Sequence, residues 1–262
     1  MAVCIHQIFY DNAQRAALDA AFIPYDNRAN PRPEWREYHV FRTEWLAGRC
    51  GGGGVTGYLS WKFGAKTGIP GRAFVEFIEQ NPGHDLYFVN PQRIEPRPFT
   101  TIWQQAEVHH PGITGLAQRI FDRVGVAVDL ATLEQPREQV LFCNYWAGTS
   151  RFWDEYMAFC ERAYRQIMEG LDAADRKLIW SRADREIDAP YVPFIMERLV
   201  STFLAIRPGI RYRGLDAEHG RRSSLRRWWR WILPRRSGDR QRSFPAARIM
   251  ASFPQNRRQA SR

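Results

Sequence analysis

The chain has 262 residues, 44% of them hydrophobic, with 10 Trp and 16 Phe. This length and apolar content exclude a disordered chain and are typical of a globular protein with one sizeable core. The formal net charge of +10 is concentrated in residues 221–262, where 13 Arg and one acidic residue leave the preceding 220 residues with a net charge of −2. We therefore expect any anionic surface to contact this basic tail.

The spacing of the cysteines and the hydropathy pattern predict the cellular compartment of the protein. Cys4, Cys50, Cys143 and Cys160 have no CxxC or other paired spacing, which is typical of reduced core thiols and argues against a zinc site. No charged leader precedes a long apolar stretch, and no apolar run approaches the length of a membrane span. We therefore expect a cytoplasmic protein.

Strand and helix patterns alternate along the N-terminal half. Short β-branched and aromatic runs predict strands, apolar residues at helical spacing predict helices, and a stretch rich in Pro and Asn predicts a loop. The predicted elements are, in order, a strand at residues 2–10, a helix at 11–18, a loop at 23–33, a helix at 34–46, a strand at 55–61, a helix at 70–83 and a strand at 86–91. This alternation favours a parallel α/β sheet.

The C-terminal half places a polar turn between a buried strand and a long helix. A strand at 141–147 is predicted to end in a turn at Gly148, and apolar residues from Phe152 to Ile167 then recur at helical spacing. Further helices are predicted at 113–124 and 194–204. A strand, a turn and a core-facing helix in this order are how an α/β sheet presents a ligand site.

Four segments are distinctive when taken together. They are the strand LYFVNP at 86–91, the turn HHPG at 109–112, the strand CNYWA at 143–147 with the helix that follows it, and the helical ERL at 197–199. Over residues 1–215 they resemble a bacterial family of uncharacterised polysaccharide-biosynthesis proteins, which is distantly similar to nucleotide-sugar glycosyltransferases of the GT-A type. The resemblance implies a GT-A-like α/β domain at 1–220 with a mostly parallel sheet, a basic tail at 221–262, and an acceptor site flanked by segments 143–147 and 197–199.

One feature of GT-A enzymes is missing. The Asp-x-Asp that usually holds a divalent metal and the donor diphosphate is absent, since Asp85 stands alone before its strand. The sequence leaves open whether the protein uses a divalent metal cofactor, and no residue is predicted as a metal ligand. Two functions are therefore considered: transfer of a sugar from a nucleotide-sugar donor to a surface glycan acceptor, or a non-catalytic binding or scaffold role in a polysaccharide assembly complex.

The candidate site residues lie at strand ends and in one buried helix. Asp85 and Glu197 are the candidate bases, and Lys62 and Lys66 are candidate contacts of the donor diphosphate. The remaining candidates for substrate binding are Asn90, His109, His110 and Asn144. Each has a structural alternative: the Asn residues could end strands, the lysines could be solvated, one of the two histidines could be structural, and Glu197 could form a buried ion pair.

The basic tail contains a predicted amphipathic helix. Its apolar face comprises Leu225, Trp228, Trp229, Ile232 and Leu233, with arginines on both sides. Clustered Trp beside Arg favours an anionic membrane surface as partner, which would make the protein peripheral at the inner membrane. A nucleic acid is the less favoured partner, because binding phosphates does not require Trp on one face.

Overall fold

The structure, a computed structural model, describes residues 2–90, 99, 101–183 and 188–216, so the predicted basic tail lies outside the described residues. The strands of the described part are β1 Val3–Phe9, β2 Ile23–Asp26, β3 Val55–Ser60, β4 Leu86–Asn90, β5 Trp146–Thr149 and β6 Tyr212–Asp216. Its α-helices are α1 Asn12–Ala16, α2 Glu37–Leu46, α3 Phe63–Thr67, α4 Gly71–Gln80, α5 Ile102–His109, α6 Ile113–Arg123, α7 Ser150–Arg165, α8 Ala173–Ile179 and α9 Tyr191–Ile206.

The strands form one six-stranded sheet in the order β2-β1-β3-β5-β4-β6. β1 pairs in parallel with β2 and β3, and β4 pairs in parallel with β6. β5 is antiparallel to both of its neighbours, β3 and β4. The predicted fold class is therefore confirmed at the level of a single α/β domain with a mostly parallel sheet.

The direction of β5 determines which residues meet at the carboxyl edge of the sheet. Because β5 runs opposite to its neighbours, it begins at the edge where β3 and β4 end. When the β3–β5 register is extended by three residues and the β4–β5 register by two, Ser60, Asn144 and Asn90 lie side by side at this edge. Open α/β sheets bind ligands at the carboxyl ends of their strands.

Helices cover both faces of the sheet and enclose two apolar cores. Alternate residues of β4 belong to different cores, as the period of two of a strand requires: Leu86 lies in the larger core and Tyr87 in the smaller one. Trp146 of β5 lies in the larger core, with its ring centroid 4.7 Å from that of Trp153 in α7 and 5.1 Å from that of Phe41 in α2. These aromatic contacts fix α2 and α7 against the middle of the sheet.

The long amphipathic helices agree with the sequence patterns. The helices predicted at 70–83, 113–124, 152–167 and 194–204 correspond to α4, α6, α7 and α9. α9 is apolar on nearly all sides because it packs inside the larger core. Among the described residues, no helix combines the length and apolar character that a membrane crossing requires.

The prediction of a loop at 23–33 was wrong at its start. Ile23–Asp26 forms β2, which pairs in parallel with β1 at the edge of the sheet. Pro24 has no N–H to donate, but an edge strand leaves one side unpaired and tolerates proline there. The proline therefore indicates an edge position and does not exclude a strand.

The strand predicted at 141–147 has different bounds in the structure. β5 is Trp146–Thr149, so Gly148 lies within the strand and not in a turn. A Cβ atom on Gly148 would come within 2.4 Å of Phe152 Cδ1, at the start of α7. Glycine is therefore needed for the close packing of α7 on β5 and does not border a ligand pocket.

The helix predicted at 34–46 is interrupted. A 3-10 turn at Pro33–Trp35 is followed by α2, and Arg36 lies between them with φ 48° and ψ −133°. Trp35, Tyr38 and Phe41 are buried, so the predicted aromatic face does pack in the core. The positive φ of Arg36 therefore separates the 3-10 turn from α2.

Candidate functional site

A cleft opens at the carboxyl edge of the sheet, between the end of β3 and the start of β5. Its walls come from residues 35–38, from β3 and α3, from the segment 143–145, and from the first half of α9. Four charged residues line it: Arg36, Glu37, Lys66 and Glu197. A cleft at this edge of the sheet is where an open α/β fold is expected to bind a ligand.

Two carboxylates of the cleft have no hydrogen-bond or ion-pair partner in the described part of the chain. Glu37 and Glu197 are both half-buried, and neither forms a hydrogen bond or an ion pair with any residue that the structure describes. Burial raises the pKa of the Cys143 thiol to about 12, and the negative charges of Glu197 and Glu37 contribute to the increase. Their lone pairs are therefore available to a ligand in the cleft.

Lys66 supplies a positive charge beside these carboxylates. Its Nζ atom donates a hydrogen bond to Cys143 Sγ at 3.4 Å. Burial lowers the pKa of Lys66, but Cys143 and Glu197 raise it by more, so the side chain remains an ammonium group at neutral pH. Because the raised pKa of Cys143 keeps its thiol protonated, this pair is not an activated nucleophile.

Two further cations are near Lys66: Arg36 lines the cleft, and Lys62 lies beside it, two residues after the lining residue Ser60. The guanidinium of Arg36 is 5.3 Å from the ring centroid of Phe194, and Nζ of Lys62 is 5.2 Å from that of Trp61. Burial lowers the pKa of Lys62, and the nearby charges of Lys66 and Arg36 lower it further. Apart from these contacts with aromatic rings, neither cation has a hydrogen-bond or ion-pair partner within the described chain.

The cleft is also where the backbone is strained. In the described part of the chain, two non-glycine residues have a positive φ, Arg36 at 48° and Cys143 at 68°, and both line the cleft. Such conformations cost on the order of 1–3 kcal/mol each and cluster at functional sites. The coincidence of two such residues at one cleft favours a ligand site over an ordinary surface depression.

The polar walls are fixed by hydrogen bonds to the core. Asn144 Oδ1 accepts a hydrogen bond from the indole nitrogen of Trp146 at 3.4 Å. Tyr38 donates through its hydroxyl to the buried Glu161 at 3.2 Å, and Arg42 binds the same carboxylate through two hydrogen bonds. The cleft is therefore attached to α7 and β5 and does not depend on surface side chains alone.

Arg198 and the neighbouring Glu197 have different surroundings. Arg198 is 6% exposed and donates to Phe194 O at 2.8 Å and to Gln105 Oε1 at 2.9 Å, which attaches α9 to α5. Burial lowers its pKa, and the charge of Glu197 opposes this. Within the described residues the two side chains form no ion pair, so Glu197 faces the cleft while Arg198 has a packing role.

Three of the predicted site residues line the cleft and a fourth lies beside it. Glu197, Lys66 and Asn144 are in its walls, and Lys62 is close to its residues Lys66, Arg36 and Glu37. Asn90 is at the same edge, but its side chain donates to Val140 O at 2.7 Å and accepts from Phe142 N at 3.3 Å. It therefore holds the segment that leads to the cleft.

Asp85 does not lie at the edge of the sheet where the cleft opens. It precedes β4, whose five residues span roughly 17 Å, so it lies at the opposite edge of the sheet from Asn90. Its carboxylate is buried, accepts a hydrogen bond from Arg211 N at 2.9 Å, and lies 3.6 Å from an Arg151 nitrogen. These contacts favour a structural role, and the predicted role as a base finds no support in its position.

The two histidines are at the end of α5, outside the cleft walls. His110 is buried, its Nδ1 is 3.2 Å from Ala183 O, and its ring stacks on Phe194 with a centroid distance of 3.8 Å. His109 is half-buried. Phe194 therefore contacts both His110 and Arg36, which connects α5 to the wall of the cleft without placing a histidine in it.

Sequence reasoning missed Arg36 and Glu37. A continuous helix from residue 34 would have placed both on its solvated side, opposite the aromatic face. The signal in the sequence was weak: two Pro in the sequence NPRPEW at 30–35 indicated that the helix would start late. The positive φ of Arg36, which directs this segment, is not encoded by a glycine and could not be predicted.

No described group of three or more His, Cys, Asp or Glu side chains could hold a metal ion. The donors at the cleft, two carboxylates among three cations, do not fit the divalent metal that the GT-A resemblance leaves open. Comparison with protein-family models, curated proteins and solved structures finds no match to this chain. The cleft is therefore the feature of this chain that points to a function.

Proposed function

We propose that the protein is a glycosyltransferase that moves a sugar from a nucleotide-sugar donor to a surface glycan acceptor, with the cleft as its active site. The observation that carries the proposal is the pair of carboxylates, Glu37 and Glu197, which have no hydrogen-bond or ion-pair partner among the described residues and lie beside the cations of the carboxyl edge. The mostly parallel sheet and the GT-A resemblance of residues 1–215 support it.

Glu197 is the proposed general base. It takes the proton of an acceptor hydroxyl as that oxygen bonds to the anomeric carbon of the donor sugar, and the bond from this carbon to the diphosphate oxygen breaks. Lys66 and Lys62 stabilise the negative charge that develops on the leaving diphosphate. Glu37 is a second carboxylate within reach of the cleft, which the acceptor could use for a hydrogen bond.

The size of the cleft limits how the donor binds. Its cavity volume is about 70 Å³, against roughly 300–1,000 Å³ for a typical small-molecule site. The cleft can thus enclose only part of a nucleotide sugar. The reacting sugar and diphosphate would lie at the cleft, and the nucleoside would extend along its open mouth.

Replacement of the proposed base tests the mechanism. We expect Glu197→Gln to reduce transfer by about 10²–10⁴-fold and to leave the melting temperature nearly unchanged, because Glu197 has no ion pair among the described residues to lose. Glu76→Gln, in an exposed pair with Arg72, is the matched control with full activity. Undiminished transfer by Glu197→Gln would rule out this base.

A non-catalytic binding or scaffold protein of a polysaccharide assembly complex is the second candidate. It is favoured by the lack of a metal-ligand cluster in the described part of the chain and by the small cleft. The two candidates differ in one respect: a scaffold would bind a nucleotide sugar or glycan without turnover. The proposed contact of the tail with an anionic membrane fits either function.

A further inference from the structure

We infer that Arg36 and Lys62 form an anion clamp at the cleft that binds the phosphate groups of the ligand. The proposed function is the basis for naming that ligand a nucleoside diphosphate sugar. In the clamp, two side-chain cations neutralise the diphosphate, a role that a metal held by an Asp-x-Asp usually has in GT-A enzymes.

The first support is the availability of the donors. Arg36 carries five N–H donors in a planar fork, and within the described chain its guanidinium lies over the ring of Phe194 and has no hydrogen bond or ion pair. Within the same residues, Lys62 lies over the ring of Trp61 and its ammonium group also has no hydrogen bond or ion pair. Both aromatic contacts orient a cation without using up its hydrogen-bond donors, so the donors are ready for an anion.

The second support is the backbone at Arg36. Its φ of 48° is a conformation that glycine adopts freely and an L-residue adopts at a cost. An arginine occupies this position despite the cost, and it lies in the wall of the cleft. A function that needs the guanidinium at this point explains why a glycine does not occupy it.

The third support is the clustering of like charges. Lys62, Lys66 and Arg36 are close enough for the last two to depress the pKa of Lys62. Glu37 opposes this depression only in part. Cations that repel one another without a ligand bind an anion more tightly, because the anion relieves the repulsion.

The chemistry of the two side chains indicates phosphate. Arginine binds phosphate through two parallel hydrogen bonds, and lysine acts as a mobile point charge. Together they match a diphosphate, which offers several oxygens on adjacent phosphorus atoms. Lys66 is held deeper in the cleft by its hydrogen bond to Cys143 and would contact the ligand from that side.

Calorimetric titration of the full-length chain with inorganic pyrophosphate tests the clamp. Because the tail also attracts anions, every variant keeps it, and each is compared with Arg72→Gln, which removes an exposed arginine of α4 and keeps the tail. We expect Arg36→Gln and Lys62→Gln each to weaken pyrophosphate binding at least tenfold and Arg72→Gln to leave it unchanged. Arg36→Gly suits the local φ and repeats the test if Arg36→Gln folds poorly.

The outcomes separate the clamp from the proposed function. Pyrophosphate binding that is equally tight in the wild type, Arg36→Gly and Lys62→Gln overturns the clamp, even if the protein transfers sugar. Selective loss of binding in these variants supports the clamp, and it does so even if no sugar transfer is found, in which case only the proposed reaction fails.

Discussion

Single residues show how the cleft is built at some cost to stability. Arg36 and Cys143 hold unfavourable backbone conformations, and the carboxylates of Glu37 and Glu197 lack partners in the described chain. A sequence selected for stability alone would not combine strained residues with half-buried charges at one place. The neighbouring buried network of Tyr38 and Glu161, in contrast, is fully hydrogen-bonded.

A histidine in the sheet makes stability depend on pH. Burial lowers the pKa of His6 from 6.5, and the attraction of Glu44 opposes this less strongly. The neutral form is therefore favoured in the folded state, so its contribution to stability is complete above pH 6.5 and is lost as the pH falls through the folded-state pKa. His6 stacks on Tyr58 with a centroid distance of 4.7 Å.

We expect His6→Phe to keep this stacking and to remove the titration. Urea unfolding at pH 7.5 and pH 5.5 should then show a smaller loss of unfolding free energy on acidification than in the wild type. His39, whose pKa is lowered first by burial and then by nearby arginines, should account for part of the remaining loss. An equal loss in both proteins would show that His6 does not titrate with folding.

At the scale of elements, β5 and α7 form the support of the cleft. β5 is short, antiparallel and placed between β3 and β4, and it delivers the segment 143–145 to the carboxyl edge. Its contact with α7 requires a glycine at position 148, since any side chain would meet Phe152.

Gly148→Ala should therefore destabilise the protein by about 1–3 kcal/mol, as measured by urea denaturation. The matched control is Gly115→Ala in α6, where a new Cβ would have Arg119 Nη1 as its nearest neighbour at 3.5 Å. This control should stabilise the protein by about 0.5–1 kcal/mol, because alanine is the better helix former. Two alanine variants of equal stability would contradict the close packing of β5 on α7.

The elements differ in how far the sequence predicted them. α4, α6, α7 and α9 were predictable because their apolar faces repeat at helical spacing within one segment. The placement of β5 between β3 and β4 depends on pairing between residues about 90 and 60 positions apart along the chain, which no local pattern contains. β2 was missed because an edge strand needs few apolar residues and tolerates Pro24.

The residues of the cleft also differ in how far the sequence predicted them. Glu197 and Lys66 were predicted because a charge in an apolar helix and a lysine after a strand are visible in the sequence. Arg36 and Glu37 were not predicted, since their position depends on a positive φ at a residue that is not glycine. Asp85 and Asn90 lie at opposite edges of the sheet, and the sequence already indicated this because a five-residue strand follows Asp85 and ends at Asn90.

At the scale of the whole molecule, charge divides the chain into two parts. The body at 1–220 carries a net charge of −2 and the tail at 221–262 a net charge of +12. The last described strand, β6, ends at Asp216. None of the described elements that form the sheet or line the cleft includes a residue of 221–262.

Deletion of residues 221–262 should abolish sedimentation with anionic vesicles and leave the cleft-dependent activity in place. Binding of the full-length chain should weaken as salt rises, because the screening length falls to about 10 Å at 0.1 M salt. Sedimentation with neutral vesicles is the control. If the full-length chain ignores anionic vesicles at low salt and binds nucleic acid there, the membrane proposal fails.

A thermal-shift titration with a panel of nucleoside diphosphate sugars tests the central claim, that the cleft binds such a donor, most directly. A ligand at 100 times its Kd stabilises the folded state by about 2.7 kcal/mol, which for a chain of this size is a rise in Tm of roughly 5–10 °C. We predict such a rise for the full-length wild type with at least one donor, and its loss in the double variant Arg36→Gln, Lys62→Gln. No rise with any donor, or the same rise in the double variant, would contradict the account.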